Sequence, residues 1–190
     1  MTETTDDKQT AILKATLELI SENGFHGTPM SLVAQEAGVG VGTIYRYFSG
    51  KEELINALYL HVKTHLTQAL LAGYDESLPI RTRFNKIWFN LAHYYLDHPK
   101  ELRFLEQYAK SPYINKSTKI EGDQIWQPLL AFIRYAQEQQ VVKNIPFEIL
   151  LSMVHGPIVS LVMFHLTEDF VLDDATLSMA ADAAWDAVKR

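Results

Sequence analysis

The stretch "QEAGVGVGTIYRYFSGKEEL", Gln35–Leu54, decides the fold. It reads as two short helical segments hinged at a glycine, with a longer helix opening behind them. Gly38 stands where a tight turn needs a left-handed backbone, which glycine adopts without a Cβ clash. Ahead of the hinge, Val33, Ala34 and Ala37 make a slim apolar face, so the second segment can lie close across the first. Behind it, Val39, Ile44 and Phe48 face inward at helical spacing. Val41, Gly42, Thr43, Tyr45, Arg46 and Tyr47 are then left pointing largely outward. Two tyrosines and an arginine with no core to fill are a surface built for a partner. Ser49-Gly50-Lys51-Glu52 has the S-x-x-E form of a capping box, which marks the start of the long helix.

Working outward, the helical period dominates the chain and no alternating strand pattern is found. Ile12, Ala15, Leu19 and Ile20 form a stripe on a first helix that Asn23-Gly24 ends. Thr28-Pro29 reads as N-cap and first residue of the next. The helix opened by the capping box runs to about Ala72. Phe84, Ile87, Trp88, Leu91, Ala92 and Tyr95 mark a further helix that Pro99 stops. A shorter one covers 101–110, and "SPYINKSTKIEGD" reads as loop by composition. Helices then follow over about 125–140, with Pro128 in the first turn or at a kink, and over 146–166, with Gly156-Pro157 inside. A last helix starts at Asp173 or Asp174. The expectation is an all-α chain of about nine helices.

The run Phe25, Gly27, Thr28 and "VAQEAGVGVGTIYRYFSGKEEL" resembles the DNA-binding domain of the tetracycline-repressor (TetR) family over residues 8–60. Gly-Thr-Ile-Tyr-x-Tyr-Phe followed by Lys-Glu-Glu-Leu is a specific pairing, unlike a bare helix-turn-helix. The resemblance implies a DNA-binding head over 1–52 and a helical ligand-binding and dimerisation part over 53–190. It implies a homodimer that binds a near-palindromic operator, usually as a repressor, and leaves it when a small molecule enters the C-terminal part. By position, Thr43, Tyr45, Tyr47 and Lys51 are expected on phosphates, with Thr28 capping its helix and meeting a phosphate at that helix's N-terminus. Val41, Gly42 and Arg46 are expected at base edges, Arg46 reading a guanine in a bidentate contact. Gly40 and Val41 depart from the family, where Ser and Lys or a similar polar residue are common.

Charge sets a puzzle for that reading. The 190-residue chain has a formal net charge of -6, and residues 1–60 hold four cations against eight acids. Such a field repels DNA. Between His26 and Lys51, however, Glu36 is the sole acid, opposed by Arg46 and Lys51. Tyr, Thr and backbone N–H donors bind phosphate without carrying charge, and Lys51 in a first turn adds to the positive end of the helix dipole.

The chain has no cysteine, so disulfides and thiolate chemistry are excluded. Its N-terminus, "MTETTDDKQT", is the opposite of a signal peptide, and the richest apolar run, 158–166, is short and holds Ser160 and His165. The expected location is the cytoplasm. His61 and His65 are spaced i, i+4, but Val62 stands where a zinc-protease motif needs Glu, so no metal is expected. Gly38, Gly40 and Gly42 lack the preceding strand of a phosphate loop, and no catalytic triad is recognisable, so neither an enzyme nor a cofactor is expected.

Eleven of the 21 aromatics lie between Phe84 and Tyr135, more than a helical core of that size requires. A ligand cavity is expected from Phe84, Trp88, Leu91, Tyr95, Phe104, Tyr108, Trp126, Phe132 and Met153. The occupant would be an apolar or cationic aromatic molecule, with Glu106 as counter-charge if it faces inward, or a long acyl chain. A dimer face is expected from Val154, Ile158, Leu161, Val162 and Leu166 with Ala180, Ala184, Trp185 and Val188. The alternative reading, a helical small-molecule-binding protein with a degenerate DNA head, stays open on charge and on Gly40 and Val41.

Overall fold

The computed structural model describes residues 5–168 and 170–190; the start of the acidic N-terminal stretch, 1–4, lies outside them. Among the described residues the regular structure is helical, with an isolated bridge between Val142 and Lys189. Ten helices run in order: α1 Thr5–Asn23, α2 Met30–Glu36, α3 Val41–Tyr47, α4 Lys51–Leu70, α5 Ile80–Asp97, α6 Pro99–Tyr108, α7 Lys116–Ile125, α8 Gln127–Glu138, α9 Phe147–Thr167 and α10 Asp174–Val188.

The helix the sequence pattern conceals is α7, inside the stretch expected as loop. Its apolar period is weak, so composition spoke for a loop. Asn115 supplies the start: its Oδ1 accepts the Thr118 amide at 2.9 Å and the Ser117 hydroxyl at 2.8 Å. The face it buries carries Thr118 and Gly122, not large side chains. Pro128 sits in the first turn of α8 and leaves it unkinked at that point, where its missing N–H would have had no partner.

Two compact units emerge. The first comprises Met1–Thr64 and Pro99–Asp123, the second His65–His98 and Gln124–Arg190. In the first, Ile12, Ile20, Val33, Ile44, Leu54, Ile55 and Leu58 form the core together with Phe104 and Tyr108 of α6. The Phe104 ring meets Phe25 edge-on at 6.2 Å, and Tyr108 stacks on Tyr59 at 4.2 Å. Polar tips are matched: Tyr108 Oη donates to Asn56 Oδ1 at 2.6 Å, and Asn56 Nδ2 donates to the Tyr113 carbonyl at 2.9 Å. Lys63 lies buried beside Tyr59, its Nζ donating to Tyr59 Oη at 3.0 Å. Gly122 seats α7 over this pair, since a Cβ there would stand 3.1 Å from both Lys63 Nζ and Tyr59 Oη.

In the second unit α5 packs against α9 and α10. Asn90 Nδ2 donates to the carbonyls of Leu70 and Ala72, closing the C-terminal end of α4. Asp173 caps α10 by accepting the Thr176 amide at 2.8 Å. Arg81 pairs with Asp182 and stacks over Phe84 and Trp185, clamping α5 to α10.

α9 runs as expected through Gly156-Pro157, but its apolar stretch extends over the whole of Phe147–Thr167 rather than the short run 158–166. By length and composition it could cross a membrane, and most of it is unburied within the chain.

Candidate nucleic-acid interface and ligand cavity

The interface is built on the hinge between α2 and α3. Gly38 has φ +65°, and the Val39 amide donates back to the Ala34 carbonyl at 2.9 Å, ending α2. Gly40 then caps α3 with extended backbone and no side chain to bond the first amides. Ile44 and Phe48 are fully buried beneath, so the orientation of α3 is fixed by its inner face. Outward stand Val41, Gly42, Tyr45 and Arg46, with Tyr45 50% exposed. Thr43 and Tyr47 are half-buried; Tyr47 packs against the core while keeping part of its ring in solvent.

Two of the expected DNA contacts are engaged elsewhere. Thr28 is buried, its hydroxyl donating to the Gly24 carbonyl at 2.9 Å, and the N-cap of α2 is Pro29. Its side chain thus closes the α1–α2 turn, and Pro29 rather than Thr28 stands at the cap of α2. Lys51 Nζ donates to the Phe25 carbonyl, and burial lowers its pKa, so its charge is turned toward the chain's own backbone. The capping box also closes one residue later than the spacing suggests. Glu53, not Glu52, accepts both the Ser49 amide at 2.7 Å and the Ser49 hydroxyl at 2.6 Å. These bonds hold the Glu53 carboxyl below its ordinary pKa.

The second unit holds a cavity of about 120 Å³. α5, α8, α9 and α10 wall it, and Phe84, Trp88, Leu91, Tyr95, Trp126 and Phe132 line it as the sequence suggests. Phe104, Tyr108 and Met153 do not. The first two are consumed by the core of the other unit, and Met153 stands on the exposed side of α9. Aromatic content gives no sign of which unit a ring joins. Glu106 also belongs to the first unit, so the cavity has no carboxylate lining it. Its polar feature is a bond between α5 and α9: Tyr95 Oη and His155 Nε2 stand 2.9 Å apart. His155, beside Pro157, reads from sequence as either a polar group of the pocket or a core histidine, and it lines the cavity.

The expected dimer residues need the same correction. Ile158, Val162, Ala184 and Val188 are buried in their own chain, and Val154, Trp185 and Val188 line the cavity. Leu161, Leu166 and Ala180 stay partly exposed. The uncovered apolar face of α9 is a different stripe, through Ile149, Met153, Gly156, Ser160 and Phe164, and α10 adds Met179 at 66% exposure. Sequence period alone finds two apolar faces on α9 and cannot say which one the chain itself covers. No three His, Cys, Asp or Glu side chains among the described residues stand close enough to hold a metal.

Comparison with known proteins agrees with this architecture. The family pattern "Bacterial regulatory proteins, tetR family" matches residues 12–58, and "Tetracyclin repressor-like, C-terminal domain" matches residues 79–189. The chain is 26% identical, over 94% of each chain, to an uncharacterised helix-turn-helix-type transcriptional regulator of Haemophilus influenzae. A TetR family transcription regulator from Marinobacter aquaeolei superposes with a TM-score of 0.91 at 27% identity, covering 97% of this chain and 96% of that one. A TetR-family regulator structure from Haemophilus influenzae gives 0.83 at 25% identity, covering 97% and 98%.

Proposed function

The chain belongs to the TetR family of bacterial regulatory proteins and is a transcriptional regulator with a helix-turn-helix DNA-binding head, and on that premise we propose that it is a cytoplasmic, homodimeric repressor released from a near-palindromic operator by a small, apolar effector. Residues 1–52 read DNA; residues 53–190 take the effector and form the dimer. The observation that carries the reading is α3, whose buried Ile44 and Phe48 leave Val41, Gly42, Tyr45 and Arg46 facing solvent together. Arg46 reads a base edge, Val41 meets a thymine methyl, and Thr43, Tyr45 and Tyr47 hold phosphates. With Lys51 turned inward, few counterions are released on binding, so affinity falls only shallowly with salt.

The exposed stripe of α9 supports the dimer. Two such helices from each protomer form a four-helix contact that removes Ile149, Met153 and Phe164 from water. A reader of inverted repeats needs that two-fold partner. For release, α4 starts directly behind the reading helix and its last residue, Leu70, lines the cavity. An effector that displaces Leu70 favours a conformation in which the two heads depart from the roughly 34–36 Å separation that successive major grooves require.

One observation favours the second reading, a small-molecule-binding protein with a degenerate head: Thr28 and Lys51 are both withdrawn from the expected phosphate contacts. A double variant, Tyr45→Ala with Arg46→Ala, separates the two. Both side chains are exposed, so folding is preserved. Repression requires a loss of operator affinity of at least about tenfold; unchanged affinity favours the degenerate head.

A further inference from the structure

α7 is held by little side-chain burial. Its fully buried residues are Thr118 and Gly122, while its large apolar side chain, Ile120, is 50% exposed. A helix of 10 residues is marginal by itself in water, so α7 depends on what it lies against. That support is α4: a Cβ at Gly122 would stand 3.1 Å from Lys63 Nζ and from Tyr59 Oη. The arrangement is costly for Lys63. Burial lowers its pKa to about 8, and the charge of Asp123 on α7 offsets only part of the lost hydration. Lifting α7 returns that amine to water. A helix with little apolar burial, lying on a cation that regains its hydration when the helix leaves, opens at lower cost than the packed core beneath it.

Along the chain, the same helix leads directly to the cavity. Trp126 follows the last residue of α7 and lines the cavity. Its backbone stays helical, with φ −87° and ψ 0°, so Gly122 and Trp126 belong to one continuous helical turn. Tyr59 and Lys63 belong to α4, whose first residue, Lys51, bonds the Phe25 carbonyl in the head. We infer that α7 is a strap that transmits occupancy of the cavity to the head: an occupant that shifts Trp126 lifts Gly122 from Lys63 and Tyr59 and frees α4. The strap's role rests on the cavity being the effector site, and it adds a grip on α4 distinct from Leu70. The seated strap favours the arrangement that binds DNA, and the lifted strap the released one.

The test fills the cavity from α9 and reads the response at α7. Val154→Phe adds a ring to the lining, and Leu151→Phe is a second, independent filling variant. Two rates are followed on the intact protein without DNA, both by peptide mass spectrometry. One is hydrogen exchange of the backbone amides of residues 118–125. The other is labelling of the buried Lys63 amine by N-hydroxysuccinimidyl acetate, with the exposed Lys119 as reference. Filling is expected to raise both rates about tenfold, a coupling of ordinary size between two sites. With Trp126→Ala in the same chain the rise is expected to vanish, because the ring that carries the push is gone. Gly122→Ala presses a Cβ onto Lys63 and Tyr59 and leaves the cavity untouched. It is expected to raise Lys63 labelling and to lower affinity for a selected operator about tenfold. No rise in either filled variant, a rise that persists without Trp126, or a lifted strap in Gly122→Ala with unchanged operator affinity would each overturn the inference. If no operator is selected from any DNA pool, the DNA-reading function fails by itself, and the exchange and labelling rates still decide whether filling the cavity lifts α7.

Discussion

Two aromatic clusters of five rings each meet opposite fates in this chain. Phe25, Tyr59, Phe104, Tyr108 and Tyr113 close on one another, with ring centroids 4.2–6.2 Å apart. Trp88, Tyr95, Trp126, Phe132 and Trp185 surround open space. The difference lies in what the neighbouring helices bring. The first cluster is matched by small and polar partners cut to its tips: Asn56 receives Tyr108, Lys63 meets Tyr59, and Gly122 lets α7 approach within contact. The second meets bulky apolar side chains from α8, α9 and α10, which hold the walls apart. Ring content therefore says that aromatic surface will be buried, while the small residues opposite decide whether it closes.

The comparison breaks most readily by truncation. Phe104→Ala should cost about 3–5 kcal/mol, as for a fully packed aromatic, and Phe132→Ala about half as much or less, because its ring already borders a void. Denaturant midpoints at constant slope test this; equal losses would erase the distinction between core and cavity wall. At the apolar face outside both clusters, Phe164→Glu should abolish the proposed dimer, read by sedimentation as half the mass, while helix content by circular dichroism stays unchanged.

A subtler probe lies within the closed cluster. Burial lowers the Lys63 pKa to about 8 from its ordinary 10.5, and raises that of Tyr59 to about 12. Between pH 8 and 10 the unfolded chain keeps the Lys63 proton that the folded chain has lost, so stability rises with pH through that window. Above pH 10 the tyrosine acts oppositely, since it ionises in the unfolded chain first and stability falls. Lys63→Met should flatten the rise between pH 8 and 10 and leave the later fall, measured by denaturant midpoints across that range. The smallest effect is expected at the reading helix. Gly40 has extended backbone and room for a Cβ, which would come no nearer than 3.8 Å to Thr43 Oγ1. Gly40→Ser should add an N-cap bond worth a few tenths of a kcal/mol, about 1–2 °C in melting temperature, and should raise DNA affinity modestly.

What the sequence makes legible follows the range of the interaction. The α2–α3 hinge is local: Gly38 sets the turn, and Ile44 and Phe48 set the face, so Val41, Gly42, Tyr45 and Arg46 are correctly read as outward from spacing, while Thr43 and Tyr47 turn out half-buried. The fate of Thr28 and Lys51 is settled by carbonyls at Gly24 and Phe25, which no period encodes. α7 stays hidden because its buried face is Thr118 and Gly122, matched to Lys63 and Tyr59 some sixty residues earlier. For the same reason the aromatic segment is recognised as a whole while Phe104 and Tyr108 are assigned to the wrong cluster. On α9 both faces are apolar, so only the packed chain reveals that Ile158 and Val162 turn inward and Ile149 and Phe164 do not.

The central claim is that this acidic chain is a dimeric reader of DNA. Selection of bound fragments from a random-sequence DNA pool, with the purified protein at modest salt, tests it most directly. The account predicts enrichment of an inverted repeat with half-sites one helical turn apart, bound with a shallow salt dependence and lost in the Tyr45→Ala/Arg46→Ala variant. Recovery of no common sequence, or of one that the double variant binds equally well, would contradict it.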